Sequence, residues 1–486
     1  MLATTLPSTR KTSTMTEPTP SPARGWAALI VVAVAVFALG LVAASVFERR
    51  IEAATPPQPL VAIGLYEPDS AKWGQNFPRE YGSWRQTEDS TTVTKQGGSA
   101  PRDLLAEDPA NVILFAGYAF AKQYNQARGH AHTVEDINHT KRINNPDGTM
   151  GDKAPATCWT CKSPDVPRLM HEMGGPEKFY EGKAKDLQAQ VTHPLGCADC
   201  HDEKTMALTI TRPALREAFT SMGKDISKVS HQEMRTLVCA QCHVEYYFKK
   251  EPKNYLAFPW KNGLKIEDME KTYDENGHVD WVHAISKTPM IKMQHPDYEV
   301  YSQGVHAYRN VSCADCHMPY KTEGASKFTD HHIQSPLLNI ANSCNVCHRW
   351  GEQEIKSRVE GIQDKVREGR DRAELALAKA HLDVAACMQA GATDEELKPL
   401  RALIRRSQMR WDYVAANNGM GFHAPQECQR ILAGANDLAQ EARVGAARLL
   451  ALKGASVTYP DYGTKEKAQA LIKLFIDGQA PVLIAK

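Results

Sequence analysis

The clearest hydrophobic pattern in the chain is an uncharged run from Trp26 to Phe47. As a helix rising ~1.5 Å per residue it would be about 33 Å long, which is enough to cross a hydrocarbon core of ~30 Å. It therefore predicts an uncleaved signal anchor. A secretory signal peptide cut after the small residues 43–45 and a buried core helix are the alternatives. The basic residues Arg10, Lys11 and Arg24 precede the run and favour a cytoplasmic N-terminus.

The segments on either side of this run are polar. Residues 1–25 are rich in Ser, Thr and Pro and have no apolar periodicity, which predicts a disordered cytoplasmic tail. Residues 48–62 include several prolines and predict a linker to the body of the protein. Both the anchor and the cleaved-signal interpretation export everything after Arg50.

Helical periodicity returns near the C-terminus. From Glu352 to Gly391 the chain is rich in Ala, Glu and Lys and has no proline, which predicts a long helix that ends at the glycine. Thr393 and Glu396 then form a capping box for a second helix, and a third is expected over 426–453. The expected fold class is mainly α, with a catalytic region at 63–350 and a helical region at 351–486.

The composition of the chain argues against one class of binding partner. The 486 residues are 42% hydrophobic, and 58 basic side chains against 57 acidic ones give a formal net charge of +1. Such a balance offers no electrostatic basis for nucleic acid as a partner. Any anion must be attracted by a local pocket.

Ten of the twelve cysteines form five C-x-x-C pairs. Four pairs are followed at once by histidine, whereas about 0.01 such C-x-x-C-H runs are expected by chance in a chain of this composition. The pairs and the residues that follow them are Cys158, Cys161 and Lys162; Cys197, Cys200 and His201; Cys239, Cys242 and His243; Cys313, Cys316 and His317; and Cys344, Cys347 and His348.

The C-x-x-C-H spacing has a chemical reason. Two thiols three residues apart can add to the two vinyl groups of one haem, while the next imidazole binds the iron. Zinc knuckles and thioredoxin-like redox pairs also use C-x-x-C, but neither needs histidine at the fifth position. The four runs therefore predict covalent haem c.

The first pair differs because Lys162 stands where the other four have histidine. Alone it could be a disulfide, a metal pair or a haem site with an unusual ligand. Among four haem sites we interpret it as a fifth. Lysine has a free pKa of ~10.4 and must lose its proton to bind iron, which a metal ion can drive.

The motifs resemble those of the pentahaem cytochrome c nitrite reductases that form ammonia. The resemblance rests on CWTCKSPDV, LGCADCH, VCAQCHVEYYF, KTPMIKMQHP, CADCHMP, TDHHI and HAP, which follow in this order over about 300 residues. It implies six-electron reduction of nitrite to ammonium at the lysine-ligated haem. The other four haems would be bis-histidine electron carriers.

The resemblance also implies distal iron ligands, which spacing alone cannot choose among eighteen histidines. The expected ligands are His130, His306, His331 and His423, with His332 left open as an alternative to its neighbour.

Substrate-binding roles are implied for Arg142, Tyr246 and His295. An arginine can hold an oxyanion through its fork of donors, a histidine can deliver protons near neutrality, and a tyrosine can donate a hydrogen bond. From the residues alone, a surface arginine, a buried tyrosine and a loop histidine are equally compatible with the pattern.

A calcium ion beside this site is implied as well. Its ligands would be the carboxylate of Glu245, the backbone oxygens of Tyr246 and Lys292, and the side-chain oxygen of Gln294. All four are hard oxygen donors, which calcium prefers.

The resemblance further implies a homodimer formed through the C-terminal helices and a periplasmic location. The apolar N-terminal run suggests a membrane anchor and a quinol-oxidising multihaem cytochrome as the electron donor. Two other functions stay open: a related reductase of hydroxylamine or sulfite, and an electron conduit in which every iron is saturated. Cys387 and Cys428 lie outside the haem motifs, and their state is open.

Overall fold

The computed structural model describes residues 22–54, 59–324 and 326–485. The chain divides into two units, with the boundary between Leu60 and Val61. Residues 1–21 of the predicted tail at 1–25 and residues 55–58 of the predicted linker lie outside the described residues, whereas tail residues 22–25 and linker residues 48–54 are helical.

Helix α1 covers Pro22–Ala54 and extends beyond the predicted run at both ends. Its segment Gly25–Glu48 has a mean hydropathy of 2.9 and no buried residues. Apolar side chains such as Leu29 and Phe37 are more than 60% exposed. A helix of this length with an apolar surface on all sides is typical of a membrane span and of a signal sequence.

The body at 61–486 is mainly helical, as predicted. Its first part consists of short helices joined by loops. The helices are short because C-x-x-C turns interrupt them repeatedly. They are α2 (Ser70–Asn76), α3 (Pro78–Arg85), α4 (Leu104–Glu107), α5 (Ala110–Leu114), α6 (Thr133–His139), α7 (Asp165–Glu172), α8 (Pro176–Glu181), α9 (Ala184–Leu187), α10 (Cys197–Cys200), α11 (Pro213–Ser221), α12 (His231–Ala240), α13 (Ile266–Glu275), α14 (Asp297–Ser302), α15 (Val305–Tyr308) and α16 (Cys313–His317).

Three long helices and a shorter one follow: α17 (Glu352–Gln389), α18 (Asp394–Ala415), α19 (Pro425–Leu452) and α20 (Lys465–Ile476). The first three confirm the predicted helices to within two residues. Gly391 has a φ of +84°, which glycine adopts without strain, and the Thr393–Glu396 capping box is present. The sequence analysis missed α20, whose N-cap is Thr464.

Among the residues that the structure describes, the strands are short and form five two-stranded antiparallel sheets. The pairs are β1 (Val93–Thr94) with β2 (Gly97–Gly98), β3 (Tyr247–Lys249) with β4 (Tyr255–Ala257), β5 (Trp281–Val282) with β6 (Pro289–Met290), β7 (Tyr320–Glu323) with β8 (Ser326–Thr329), and β9 (Ser456–Val457) with β10 (Ile484–Ala485).

The described part of the body contains three hydrophobic clusters, a small one at Ile340, Ile355 and Val359 and two large ones. One is built on α17, α18 and α19 together with α5 and α20. The other joins α7, α8, α11 and α12 and includes Trp159 of the first C-x-x-C loop, which is fully buried. Cys387 and Cys428 are buried free thiols in the first core, so they form no disulfide with each other.

Candidate active site

Each C-x-x-C motif lies on a single helical turn. Residues three and four apart share one face of such a turn, so both thiols and the following side chain point to the same side. The backbone N–H groups of His201, His243 and His348 each donate to the carbonyl four residues earlier, at 2.9–3.0 Å. The N–H of Lys162 instead donates to Trp159, three residues earlier, at 2.9 Å, so the lysine motif is the tighter turn.

All five motifs line one cavity of about 1880 Å³. At least one cysteine of every pair borders it, together with Lys162 and the four histidines that follow the other pairs. The four distal histidines expected from the resemblance also border it, as do Arg142, Tyr246 and His295. The fold therefore gathers the predicted haem residues and the predicted substrate residues around one internal space.

The histidines around this cavity form four facing pairs. The ring centres are 6.2 Å apart in His201–His331, 6.3 Å in His317–His423, 6.4 Å in His306–His348 and 6.5 Å in His130–His243. Each pair joins one motif histidine to one expected distal histidine. His331, rather than His332, faces His201.

These separations match the geometry of two imidazoles on one metal. A metal–imidazole bond is ~2.0–2.1 Å long and the ring centre lies roughly 1.1 Å from the nitrogen, so the two centres would be about 6.2–6.4 Å apart. The observed values are too long for ring stacking in contact and fit a haem iron between the rings. The side chains present therefore fit the haem groups that the motifs predict.

Hydrogen bonds orient several of these rings. The Nδ1 atoms of His201, His317 and His331 bond to backbone carbonyls of Met206, Gln334 and Thr329 at 2.8, 2.9 and 2.8 Å. A carbonyl can only accept, so Nδ1 carries the proton and Nε2 keeps its lone pair for a metal.

His243 has a carboxylate partner instead. Its Nδ1 lies 3.0 Å from Oδ2 of Asp297. Burial raises the pKa of Asp297, but the hydrogen bond and charge of His243 outweigh it and bring that pKa to about 2. Asn417 and Asn418 donate further hydrogen bonds to the same carboxylate at 2.6–2.8 Å.

The motifs are neighbours in an order that differs from their order in the sequence. The thiol of Cys161 interacts with that of Cys242, and the thiol of Cys239 interacts with that of Cys313. The first motif is thus beside the third, and the third is beside the fourth.

Lys162 lies among groups that suit an anion. Its carbonyl accepts a hydrogen bond from Thr133 Oγ1 at 2.8 Å. In residues 22–54, 59–324 and 326–485 no carboxylate lies within 4 Å of its amine or of the Arg142 guanidinium. Arg142 lies 4.3 Å from the ring centre of Phe120, an aromatic face that holds a cation without neutralising it.

Tyr246 and His295 complete this group, with ring centres 6.4 Å apart. Burial and the nearby cysteines raise the pKa of Tyr246 well above its ordinary value, so the phenol keeps its proton. Burial and the charge of Lys162 lower the pKa of His295 to about 3. In this arrangement the imidazole is neutral near pH 7, which differs from the expectation of a group titrating near neutrality.

Three of the four residues expected to bind calcium, Glu245, Lys292 and Gln294, are in contact, and Tyr246 follows Glu245 in the chain. The Glu245 carboxylate accepts from the Gln294 N–H at 2.5 Å and from the Tyr273 hydroxyl at 2.6 Å. The side-chain amide of Gln294 lies 3.2 Å from the carbonyl of Lys292. Burial raises the pKa of Glu245 well above its ordinary value, and a nearby cation would favour its ionised form.

Three contributors to the site were missed by the sequence analysis. Phe120 lies under Arg142, Asp297 bonds to His243, and the buried amine of Lys292 bonds to Asp412 at 2.9 Å. Only Asp297 carried a signal, because it stands two residues after His295 in the sequence.

C-x-x-C turns and facing imidazoles around one cavity in a helical body define a multihaem c-type cytochrome. Comparison with known proteins gives the particular family. The family model for cytochrome c552 matches residues 69–480. The chain belongs to the cytochrome c552 family, whose members carry covalently attached haem c.

Relatives match over nearly their full length. Cytochrome c-552 of Parabacteroides distasonis is 49% identical over 454 residues, which cover 93% of this chain and 92% of the relative. Cytochrome c-552 of Porphyromonas gingivalis is 49% identical over 464 residues, or 94% and 92% of the two chains. Among solved structures, the catalytic subunit of cytochrome c nitrite reductase from Desulfovibrio desulfuricans, described with two calcium sites, is 33% identical with a TM-score of 0.74. The match covers 80% of this chain and 88% of that one.

Proposed function

We propose that this protein reduces nitrite to ammonium at a haem attached to Cys158 and Cys161, with Lys162 as the axial ligand. The observation that carries the proposal is that Lys162, Arg142, Tyr246 and His295 border one cavity, and that no described carboxylate lies within 4 Å of the two basic side chains. The same cavity also holds four histidine pairs. The family and the similarity to a nitrite reductase support it.

Four further haems would be attached at the C-x-x-C-H motifs. Their iron ligands would be the facing pairs His201 with His331, His243 with His130, His317 with His423, and His348 with His306. Ring separations near those of a shared metal support each assignment. Since a bis-histidine iron has no free position, these four would carry electrons rather than bind substrate.

The proposed reaction requires all of its electrons to reach one haem. When bound, a c-type haem supplies an iron that coordinates a small ligand and passes it electrons, and nitrite consumes six electrons and eight protons to become ammonium and two waters. The contact between Cys161 and Cys242 supports an arrangement in which the His243 haem would lie beside the catalytic one. Electrons would therefore arrive from the third motif.

The protein side chains would bind and protonate the substrate. Arg142 stays charged and can donate two parallel hydrogen bonds to a nitrite oxygen pair. Tyr246 keeps its hydroxyl proton because burial raises its pKa, so it can donate a hydrogen bond as an N–O bond weakens.

His295 would relay protons. Burial and the charge of Lys162 hold its pKa at about 3 in the arrangement described. Lysine binds a metal only as the neutral amine. A metal-bound Lys162 would therefore carry no charge and would no longer lower the pKa of His295. The partner of His295 in the proton relay would be Tyr246, whose ring centre is 6.4 Å from that of His295.

A calcium ion would stabilise the loop that carries His295. The ligands would be the carboxylate of Glu245, the carbonyls of Tyr246 and Lys292, and the side-chain oxygen of Gln294. The amide nitrogen and oxygen of a glutamine exchange positions by a simple flip, which would turn an oxygen toward the Lys292 carbonyl, 3.2 Å from the present nitrogen. In that orientation both oxygens would be available as ligands of the ion.

The protein would work on the extracytoplasmic face of the membrane, either anchored by α1 or released after cleavage. Covalent haem and the hydropathy of 2.9 over Gly25–Glu48 support export. The donor would be a quinol-oxidising multihaem cytochrome. A homodimer is supported by apolar side chains on the long helices, where Leu375 is 53% exposed and Val444 is 50% exposed.

The decisive experiment is nitrite-dependent oxidation of a reduced dye by the haem-loaded protein, with ammonium assayed as the product. Electrons and ammonium in a six-to-one ratio would support the proposal. The Lys162→His variant should retain five haems and lose most of its turnover. If the parent produces no ammonium and nitrite causes no spectral change, the protein is an electron conduit. Faster turnover of hydroxylamine or sulfite than of nitrite would identify a related reductase.

A further inference from the structure

Arg212 lies where the first three haem-attachment loops meet. Its side chain is 1% exposed, and it immediately precedes α11, which begins at Pro213. The residue before a proline is restricted to extended backbone, and Arg212 has φ −104° and ψ 128°. Its position is therefore set by the local sequence as well as by packing.

The guanidinium holds the lysine motif from both sides. Its Nε donates to the carbonyl of Thr160 at 2.7 Å, and its Nη2 donates to the carbonyl of Ser163 at 2.8 Å. These two carbonyls flank Cys161 and Lys162 in the chain. The segment that carries a haem thiol and the lysine ligand is thus bound at both ends by one side chain.

The same residue reaches the second and third motifs. Its Nη2 forms an ion pair with Asp199, which lies between the cysteines of the second motif. Its backbone N–H donates to Oε1 of Gln241 at 3.0 Å, and Gln241 lies between the cysteines of the third motif. Gln241 Nε2 in turn donates to the carbonyl of Asp199 at 3.1 Å.

We call Arg212 with Thr160, Ser163, Asp199 and Gln241 the Arg212 junction. Its bonds need a planar fork of donors that stays charged when buried. Arginine has such a fork, whereas lysine has a single ammonium group that loses its proton more readily on burial. The side chains of Arg212 and Asp199 are also buried, where electrostatic interactions are stronger than in water.

We propose that Arg212 is a positioning residue that sets the geometry of the first three haems relative to one another and of Lys162 relative to its iron. The inference rests on the proposed function only in taking the Lys162 haem as the catalytic one. In this proposal the buried side chain of Arg212 aligns the catalytic haem with its nearest electron carriers.

The test compares Arg212→Lys with Arg216→Lys in the haem-loaded full chain. Arg216 is one turn further along α11, and within the described part of the chain its guanidinium bonds only to the carbonyl of Ile210, at 2.7 and 3.2 Å. The readouts are haem content, the visible and electron paramagnetic resonance spectra, and a redox titration that resolves the individual haems.

In Arg212→Lys we expect five haems, a changed spectrum of the lysine-ligated haem and shifted potentials for the haems of the first three motifs. The haem at Cys344 and Cys347 should keep its potential. Nitrite turnover should fall about 10²-fold, as expected for a misplacement of about 1 Å. Arg216→Lys should match the parent in every readout.

Parent-like spectra, potentials and turnover in Arg212→Lys would overturn the inference. If that variant does not fold, Asp199→Asn removes the ion pair and keeps the side-chain shape; unchanged potentials of the first two haems in it would equally overturn the inference. Because spectra and potentials need no nitrite, they are informative even if the parent fails to make ammonium, which would contradict only the proposed function.

Discussion

The imidazole of His243 is hydrogen-bonded to the carboxylate of Asp297, with 3.0 Å between Nδ1 and Oδ2. Of the motif histidines, His201 and His317 bond through Nδ1 to backbone carbonyls instead. A buried carboxylate with a pKa of about 2 is ionised at neutral pH. In the proposed haem site this charge would make the imidazole a stronger electron donor to the iron.

Replacing Asp297 by asparagine should therefore raise the midpoint potential of the His243 haem. The loss of a hydrogen bond to a charged group, about 1.5–3 kcal/mol, corresponds to a shift on the order of 60–130 mV for one electron. A redox titration of the haem-loaded protein measures it. Asp202→Asn is the matched control, since Asp202 follows His201 but bonds to Thr205 and not to the imidazole. Equal shifts in both variants would contradict the prediction.

Arg142→Gln should impair nitrite reduction. Removing a donor that stabilises a developing anion typically lowers kcat by about 10²–10³-fold, and nitrite affinity should fall too because the guanidinium is not neutralised by a carboxylate. Steady-state kinetics and a nitrite titration of the haem spectrum measure the two effects. The adjacent and exposed Lys141 provides the control, Lys141→Gln. Parent-like kinetics in Arg142→Gln would exclude the proposed role.

Removal of calcium should lower both thermal stability and turnover. A cation at 100 times its Kd stabilises the folded state by about 2.7 kcal/mol, and without it the buried Glu245 favours its protonated form. The melting temperature after chelation should be restored by calcium. Glu245→Gln should abolish this response, whereas Asp274→Asn, at an exposed position, should keep it. A melting temperature that ignores chelator in the parent would rule out the site.

The stability of the body should fall as the pH drops below about 6.5, through the buried pair His283 and His381. Their rings stack with centres 3.6 Å apart. Nε2 of His381 lies 2.8 Å from the amide oxygen of Gln408, and its Nδ1 lies 2.8 Å from the hydroxyl of Ser286. Burial disfavours the charged imidazolium and lowers the pKa of His381 to about 4.

Below pH 6.5 the unfolded chain binds protons that the folded state does not, so stability decreases as the pH falls and levels off near pH 4. For His381 the loss amounts to roughly 3 kcal/mol. Unfolding followed by circular dichroism between pH 7 and 4 should show a shallower dependence in His381→Gln than in the parent. His171→Gln, at an exposed position, should retain the parent slope. Identical slopes in the parent and His381→Gln would contradict this account.

Local features were predictable because their causes lie within a few residues. The capping box at Thr393 and Glu396 and the helix end before Gly391 depend on backbone groups one turn away. Helix α20 was missed because it is short and its apolar face is explained only by the core it joins with α5. The state of Cys387 and Cys428 needed the packed core, since sequence contains no distance between them.

The sequence by itself determined the covalent chemistry of the four C-x-x-C-H motifs, because two thiols three residues apart and the histidine that follows share one helical turn. Tertiary structure alone decided which histidine faces which motif, because His130 and His243 are separated by more than a hundred residues of chain and meet only through packing. It also decided that Asp297 bonds to His243 and that Arg212 joins three loops. Such contacts depend on how distant segments pack, which no local pattern encodes.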